Sequence, residues 1–214
     1  MKYIMYNEEN NVLQYDEYEM IREKIRVKHK KEGNEIVVRK VKFVENLYKV
    51  YQEEEAPNKP SFSLCMRMEE ISTYYLEKKS KQNGVIYKAF IDLSKEECES
   101  ILSGEIEWLK NSKRSLLNEF YLYLTINHLE PSTVREYRRI VYDKPGKFCI
   151  VFNEEKKRAV DRYASLLDET IQMFDCLSCD KVEMSYKKII KIPRALNNIL
   201  NISNEPSYEI AFSL

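Results

Sequence analysis

The sequence predicts an α+β fold in which a largely antiparallel sheet of about eight strands closes into a barrel. Segments rich in β-branched and aromatic residues alternate in polarity, which is typical of strands. Strong turn signals at Asn83-Gly84 and at residues 143–146, Asp-Lys-Pro-Gly, join such segments into hairpins. Helical segments interrupt the strands without the regular alternation of βαβ units, which indicates α+β. Closing the sheet would pair both of its edges.

The first predicted helix covers residues 15–30. Tyr18, Ile21 and Ile25 recur there at helical spacing, with charged residues between them. Gly33, together with the asparagine that follows it, breaks this pattern and ends the helix.

Strands dominate the next part of the chain, where β-branched and aromatic residues are frequent. The acidic, proline-bearing run at residues 53–60 reads as a loop between them. The predicted strands are residues 35–52 as two strands bent near Glu45-Asn46, then 61–68, 72–81 and, after the Asn-Gly turn, 85–93.

A capping box formed by Ser94 and Glu97 predicts the start of the next helix, which Gly104 ends. A longer amphipathic stretch runs to about His128, before Pro131. The remaining predictions are strands at 133–142 and 147–152, a strand at 181–189 and a short helix starting at Pro193. Residues 154–175 fit either helix or strand, and a helix is preferred there.

The composition is typical of one globular domain spanning residues 1–214, with 43% hydrophobic and 12% aromatic residues. The 35 basic and 35 acidic side chains cancel, which argues against a protein that coats nucleic acid by bulk charge. Only 4 glycines are present, and neither GxxxxGK(S/T) nor GxGxxG occurs, so a P-loop or a dinucleotide fold has no support.

The N-terminal residues lack the apolar run of a signal peptide, and no stretch approaches a membrane span. The 5 cysteines are odd in number and scattered, which favours a reducing, cytoplasmic setting. Cys176 and Cys179 form a lone CxxC, and His29 and His128 lie far away in sequence. We therefore favour chance spacing over a zinc or redox site.

Cations concentrate around the Asn-Gly hairpin. Strand alternation sends Glu77, Lys79 and Lys81 to one face, and Lys88 on the returning strand is a candidate for the same surface. One interpretation is a solvated sheet face carrying mixed charge. The other is that several strands turn basic faces inward, which requires a channel that is wet or holds a polyanion, because buried cations without partners are costly.

Residues 76–104, LEKKSKQNGVIYKAFIDLSKEECESILSG, resemble the central motif of the VTC domain, the polyphosphate polymerase branch of the CYTH-like triphosphate tunnel enzymes. That motif has Leu-Glu-x-Lys-x-Lys, a glycine turn and a Ser-x-Glu-Glu helix. Other pieces follow in the family's order: IVVRKVKF, LCMRM, YRRIVY, CIVFN, VEMSYKKIIKIPRALNNIL and the terminal AFSL.

The resemblance implies an eight-stranded antiparallel tunnel lined by arginines and lysines, in which the γ-phosphate of a nucleoside triphosphate passes to a polyphosphate chain. Phosphoryl transfer of this kind needs charge neutralisation and positioning more than covalent help. It implies Mn²⁺ or Mg²⁺ as the cofactor, with Glu183 and Glu77 as the metal ligands. The phosphate-binding residues it implies are Arg67, Lys79, Lys81, Lys88 and Arg139, of which Lys79, Lys81 and Arg139 would be catalytic.

The sequence also departs from the family pattern. Basic or acidic family residues are replaced at Cys65, Ala89, Phe90, Cys149, Asn153, Ser185 and Leu214. Charge-assisted hydrogen bonds contribute roughly 1.5–3 kcal/mol each, so four lost bonds remove about 6 kcal/mol or more. That energy corresponds to a factor on the order of 10⁴ in binding or rate. The fold can therefore outlast the chemistry.

The resulting hypothesis is a divergent tunnel protein that recognises polyphosphate or a nucleoside triphosphate with a divalent metal. If catalysis survives, the protein is a phosphotransferase of the polyphosphate polymerase type. The alternative is a non-catalytic binding or scaffold module that uses the same fold. A third class, single-stranded RNA binding on a tyrosine-rich sheet, draws on the 16 tyrosines, which core packing explains more simply. No sequence-specific nucleic acid, membrane insertion or particular protein partner is predicted.

Overall fold

The computed structural model describes residues 1–29, 33–45, 59–144, 147–176 and 181–190. The helices are α1 (Tyr15–His29), α2 (Lys95–Ser103), α3 (Glu107–Lys110) and α4 (Ser115–Ile126). The strands are β1 (Lys2–Gln14), β2 (Asn34–Val44), β3 (Ser61–Met68), β4 (Thr73–Gln82), β5 (Val85–Leu93), β6 (Glu130–Pro131), β7 (Arg135–Lys144), β8 (Phe148–Ala159), β9 (Met173–Asp175) and β10 (Lys181–Ile189).

Eight of these strands form a closed antiparallel barrel. Their order around the barrel is β10, β1, β5, β4, β3, β2, β7 and β8, and β8 pairs with β10 to close the ring. The short strands β6 and β9 add to β2 and β8. The predicted α+β fold with an antiparallel eight-stranded barrel is therefore confirmed.

Strand alternation gives the barrel an outer apolar face on β2 to β5, and α2 and α4 cover it. Phe120 of α4 packs against Phe43 and Phe62, with ring centroids 4.9 and 5.2 Å apart. Leu76 and Leu117 are fully buried in the same cluster. Burying apolar area of this kind is the main stabilising term for the barrel wall.

Helix α1 lies against another part of the wall and is anchored by one tyrosine. Tyr18 is fully buried, and its ring meets the edge of Phe152 with centroids 5.1 Å apart. Its hydroxyl donates a 2.9 Å hydrogen bond to Glu154 on β8. The Glu154 carboxylate also accepts a 3.0 Å hydrogen bond from Arg138 on β7. The helix is thus attached to two strands by one buried polar cluster.

The local turn and cap predictions agree with the structure. Asn83 and Gly84 adopt φ angles of 51° and 78° between β4 and β5, the left-handed conformation that an Asn-Gly hairpin turn uses. Ser94 and Glu97 form the reciprocal capping box at the start of α2. Gly104 ends α2 with φ of 86°.

The predicted helix within residues 154–175 is wrong. Strand β8 continues to Ala159, and β9 follows at Met173–Asp175. The charged run after Asn153 suits a helix by propensity, but pairing with β7 along this segment outweighs that weak preference. A register irregularity near Arg138 and a positive φ of 50° at Glu155 accommodate the extension.

Two further differences concern the N-terminus and the helical region. Residues 2–14, for which no strand was predicted, form the long strand β1. The amphipathic stretch before Pro131 divides into α3 and α4. Some predictions lie outside the described residues: the strand after residue 46, most of the 53–60 loop, the Pro145-Gly146 turn and the helix starting at Pro193.

Candidate functional site: a cation-lined cavity inside the barrel

The barrel encloses a cavity of about 400 Å³, lined by inward-facing side chains of several strands. Five of the lining residues are cationic and three are acidic, so the charge of the lining is positive. The cations are Lys40, Lys79, Lys88, Arg139 and Lys187, and the carboxylates are Glu8, Glu77 and Glu183.

The strand register brings these charges together. Lys79 on β4 stands opposite Lys88 on β5, and Glu8 on β1 stands opposite Lys187 on β10. Residues opposite each other in an antiparallel pair point to the same face of the sheet. Because β1 pairs with β5, the two pairs lie on neighbouring parts of the inner wall.

Glu77 is the centre of a tight ionic cluster. It is 5% exposed, and its two carboxylate oxygens lie 2.7 Å from the ammonium nitrogens of Lys40 and Lys88. Burial disfavours its charge, but the two lysines hold the pKa of Glu77 well below its ordinary value. Burial likewise acts against Lys40, and the Glu77 carboxylate raises its pKa. For Lys88, burial prevails and its pKa is lowered.

Glu8 forms a second, looser cluster. Its carboxylate lies 3.5 Å from Lys79 and 3.6 Å from Lys187. Burial, reinforced by the charge of Arg139, lowers the pKa of Lys187 to about 8. The lysines keep the pKa of Glu8 below its ordinary value despite burial. The longer distances make this cluster the easier one for another anion to enter.

Arg139 is held from two sides. Its Nε donates a 2.9 Å hydrogen bond to the side-chain oxygen of Asn153, and its guanidinium lies 4.9 Å from the centre of the Tyr137 ring. Farther round the wall, Ser185 donates a 2.6 Å hydrogen bond to Asn10. A fixed, planar guanidinium is well suited to phosphate oxygens, which it can contact in pairs.

The structure brings five of the seven predicted site residues into this cavity. These are Glu77, Lys79, Lys88, Arg139 and Glu183. Arg67 and Lys81 are not among its lining residues. Arg67 makes a 2.6 Å ion pair with Glu69, and Lys81 is exposed near the end of the hairpin, beyond the part of β4 that pairs with β3.

Three charged residues of the lining were not predicted from sequence: Glu8, Lys40 and Lys187. Lys187 had a usable signal, since it falls at alternate spacing from Glu183 on the same predicted strand. Glu8 had none because its strand was not predicted. Lys40 lies between Arg39 and Val41 in a strand that mixes apolar and basic residues, where alternation alone does not reveal which face is enclosed.

The acidic residues do not fit a metal ion held by the protein alone. Both oxygens of Glu77 already face lysines, so it does not fit its predicted role as a metal ligand. Glu183 pairs with Lys156. Within the described ranges, no group of three or more His, Cys, Asp or Glu side chains could hold a metal ion.

Beyond the charged residues, the barrel interior becomes apolar towards the end where β8 begins and β5 ends. Cys65, Phe90 and Cys149 lie in one buried cluster there, and none is more than 1% exposed. All three occupy positions at which the sequence departs from the family's basic pattern. Packed side chains therefore fill three positions at which the family resemblance led us to expect cations.

The fold is shared with solved structures at low sequence identity. One is a Bacillus halodurans protein provisionally classed as an adenylate cyclase, with a TM-score of 0.52, 12% identity and coverage of 97% of this chain and 95% of the other. Another is a Hippeastrum protein, provisionally classed as an adenylyl cyclase, in which triphosphatase activity is dominant. It has a TM-score of 0.52, 7% identity and coverage of 97% and 94%.

The likeness to these structures, with coverage of 94% or more of each chain, shows that the fold is shared. The family model of the VTC domain matches residues 2–166, and the chain belongs to that family. No curated protein sequence matches the chain. Across the part of the chain that the structure describes, every helix is too short or too polar to span a membrane.

Proposed function

We propose that this protein binds the triphosphate group of a polyphosphate or a nucleoside triphosphate inside the barrel. The observation that carries the proposal is the convergence of five cations on one cavity inside the barrel whose lining contains only three carboxylates. An excess of buried positive charge is costly without a counter-ion, so such a cavity favours a polyanion. Phosphate oxygens satisfy both the lysines and the arginine.

The individual roles follow from the contacts. Arg139, oriented by Asn153 and Tyr137, would make forked contacts to one phosphate. Lys79 and Lys187 would turn from Glu8 to the phosphate chain, because their distances to Glu8 are long for ion pairs. In this proposal the lysines provide most of the charge neutralisation that phosphoryl transfer requires.

A more specific version of the proposal is that the protein transfers a γ-phosphate to polyphosphate, the reaction that the family resemblance implies. This reaction requires the donor and the acceptor to be held in line. Four of the cations that could hold them are already engaged in the Glu77 and Glu8 clusters. We therefore propose triphosphate recognition as the retained function and expect transfer to be slow. Binding of Mn²⁺ or Mg²⁺ remains a prediction, and titrations with and without Mn²⁺ will test it.

A non-catalytic scaffold is the second candidate, and one observation favours it. Lys40 and Lys88 already share the Glu77 carboxylate, with one ammonium nitrogen 2.7 Å from each of its oxygens. A barrel whose lysines are paired with a buried carboxylate in this way is stable without a ligand. Under this alternative, phosphate polymers would produce no heat in a titration, with or without Mn²⁺.

The test is calorimetric titration of tripolyphosphate and ATP into the wild type and two variants of β4. Lys79→Ala removes a cavity cation, whereas Lys78→Ala removes the same charge from the outer face, where Lys78 pairs with Glu119. We expect micromolar binding that weakens with salt, a loss of at least tenfold in Lys79→Ala and little change in Lys78→Ala. Equal losses in both variants, or no binding by the wild type, would contradict the proposal.

We also propose that the protein works in the reducing environment of the cytoplasm. Four cysteines lie in the described residues, all of them free thiols, and Cys65, Cys98 and Cys149 are buried. Burial raises the pKa of the Cys65 thiol to about 11, so it is a poor nucleophile at neutral pH. Localisation of a tagged protein by microscopy will test the compartment.

A further inference from the structure

We propose that the barrel interior is a blind pocket, which takes the terminal triphosphate of a chain through one mouth and does not let a chain thread through. This inference rests on the proposed function and deepens it, because it identifies the ligand as a chain end. One half of the interior is apolar and closed, whereas the other half is charged and reaches solvent.

One half is an apolar plug, defined by inward side chains that pack together. None of them is more than 3% exposed. They come from six strands and are Ile4, Cys65, Tyr75, Phe90, Val141 and Cys149.

The strand register places the plug at one end of the barrel. Cys65 stands opposite Tyr75 near the end of β3 and the start of β4, and Phe90 stands opposite Lys2 at the start of β1. Outside the plug, the ammonium of Lys2 lies 5.5 Å from the centre of the Phe90 ring and 3.4 Å from Asp92. An apolar layer with an ion pair above it closes this end.

The other half is polar and reaches solvent. Its lining includes Asn10, Asn11 and Val12 at the far end of β1, and Val12 is 61% exposed. Glu183, opposite Val12, has a side chain that is 37% exposed. The charged groups therefore lie between an open mouth and a closed apolar end.

A phosphate chain could enter at the mouth and stop at the plug. Threading farther would take ionised phosphates past the packed side chains of Phe90 and Val141, where desolvation is costly. A terminal triphosphate fits this geometry because its end needs no exit. A nucleoside triphosphate would enter phosphates first and leave its nucleoside at the mouth.

The experiment uses wild-type protein and three defined probes. These are tripolyphosphate, long-chain polyphosphate with free ends, and the same polyphosphate with both terminal phosphates blocked by bulky amines through phosphoramidate bonds. Affinity and stoichiometry are measured by calorimetry at fixed ionic strength. The capped polymer is a matched control because its internal phosphates are unchanged.

We expect tripolyphosphate and free-ended polymer to bind with equal affinity per chain end, with one protein molecule per end, and capped polymer to bind at least tenfold more weakly. Capped polymer that binds as tightly as free polymer, or many protein molecules per free-ended chain, would overturn the blind pocket. Absence of tripolyphosphate binding would instead refute the proposed function, so the two failures are distinguishable.

A plug variant provides a second measurement. Phe90→Ala removes a large aromatic side chain between the cavity and the closed end, and we expect capped polymer to remain weakly bound because its blocked ends still cannot enter. A plug variant that unfolds leaves the wild-type comparison intact, since that comparison requires no substitution.

Discussion

Replacing Glu77 by glutamine removes the charge at the centre of the tight cluster while keeping the shape of the side chain. The wild-type carboxylate is 5% exposed and lies 2.7 Å from both Lys40 and Lys88. Removing one partner from a buried ion pair costs about 3–5 kcal/mol, because the remaining charge stays buried. The free energy of unfolding of a typical domain is only about 5–15 kcal/mol, so we expect a severe loss.

Urea denaturation measures this change, with far-UV circular dichroism and the fluorescence of Trp108, the only tryptophan of the chain, as two probes. The matched control is Glu23→Gln, which removes the same charge from an exposed pair with Arg26 at 2.8 Å on α1. We expect no measurable change in the control, since exposed ion pairs contribute little.

The pH dependence supplies an independent check. The folded-state pKa of Lys88 is already lowered by burial, and losing Glu77 lowers it further. Between that folded value and the ordinary value of lysine, the unfolded chain binds more protons than the folded one, so stability rises with pH. The deficit of Glu77→Gln should therefore shrink as pH rises. A loss below about 1 kcal/mol, or a deficit independent of pH, would refute the assigned electrostatics.

Two further predictions concern the loose cluster. Because the pKa of Lys187 is about 8, we expect the affinity of the wild type for tripolyphosphate to fall by up to about tenfold between pH 7 and pH 9. Lys187→Arg should remove that fall, since arginine stays charged throughout this range. Parallel pH profiles of the two proteins would contradict this prediction. Because Glu8 competes with phosphate for Lys79 and Lys187, we expect Glu8→Gln to bind tripolyphosphate several-fold more tightly by calorimetry, whereas weaker binding would assign Glu8 a supporting role.

The barrel was largely predictable because strand alternation and turn chemistry are local signals. The positions of Glu77, Lys79 and Lys88 on one face follow from the two-residue period of a strand and the Asn-Gly turn. What alternation could not determine was which face is enclosed, since charged residues on one face usually indicate solvent. Barrel closure through β10, far along the chain, decides that question.

The errors have physical causes of the same kind. The run after Asn153 contains good helix formers, yet long-range pairing keeps it in β8. Glu8 belongs to a strand rich in asparagine and glutamate, which carry little strand signal. Arg67 and Lys81 were assigned from motif position, but Arg67 is held by Glu69, and the cavity lining on β4 ends before Lys81. Motif position identifies the strand and leaves the depth along the barrel undetermined.

Closure between β1 and β10 has a consequence for biosynthesis. The ladder joins residues 6–14 to residues 181–189, so β1, the earliest of the described strands to be synthesised, waits for β10 before its second edge is paired. Contacts this distant in sequence slow folding, and an unpaired strand edge invites association with other chains meanwhile. Nascent chains of this protein should therefore depend on chaperones until residue 189 has emerged.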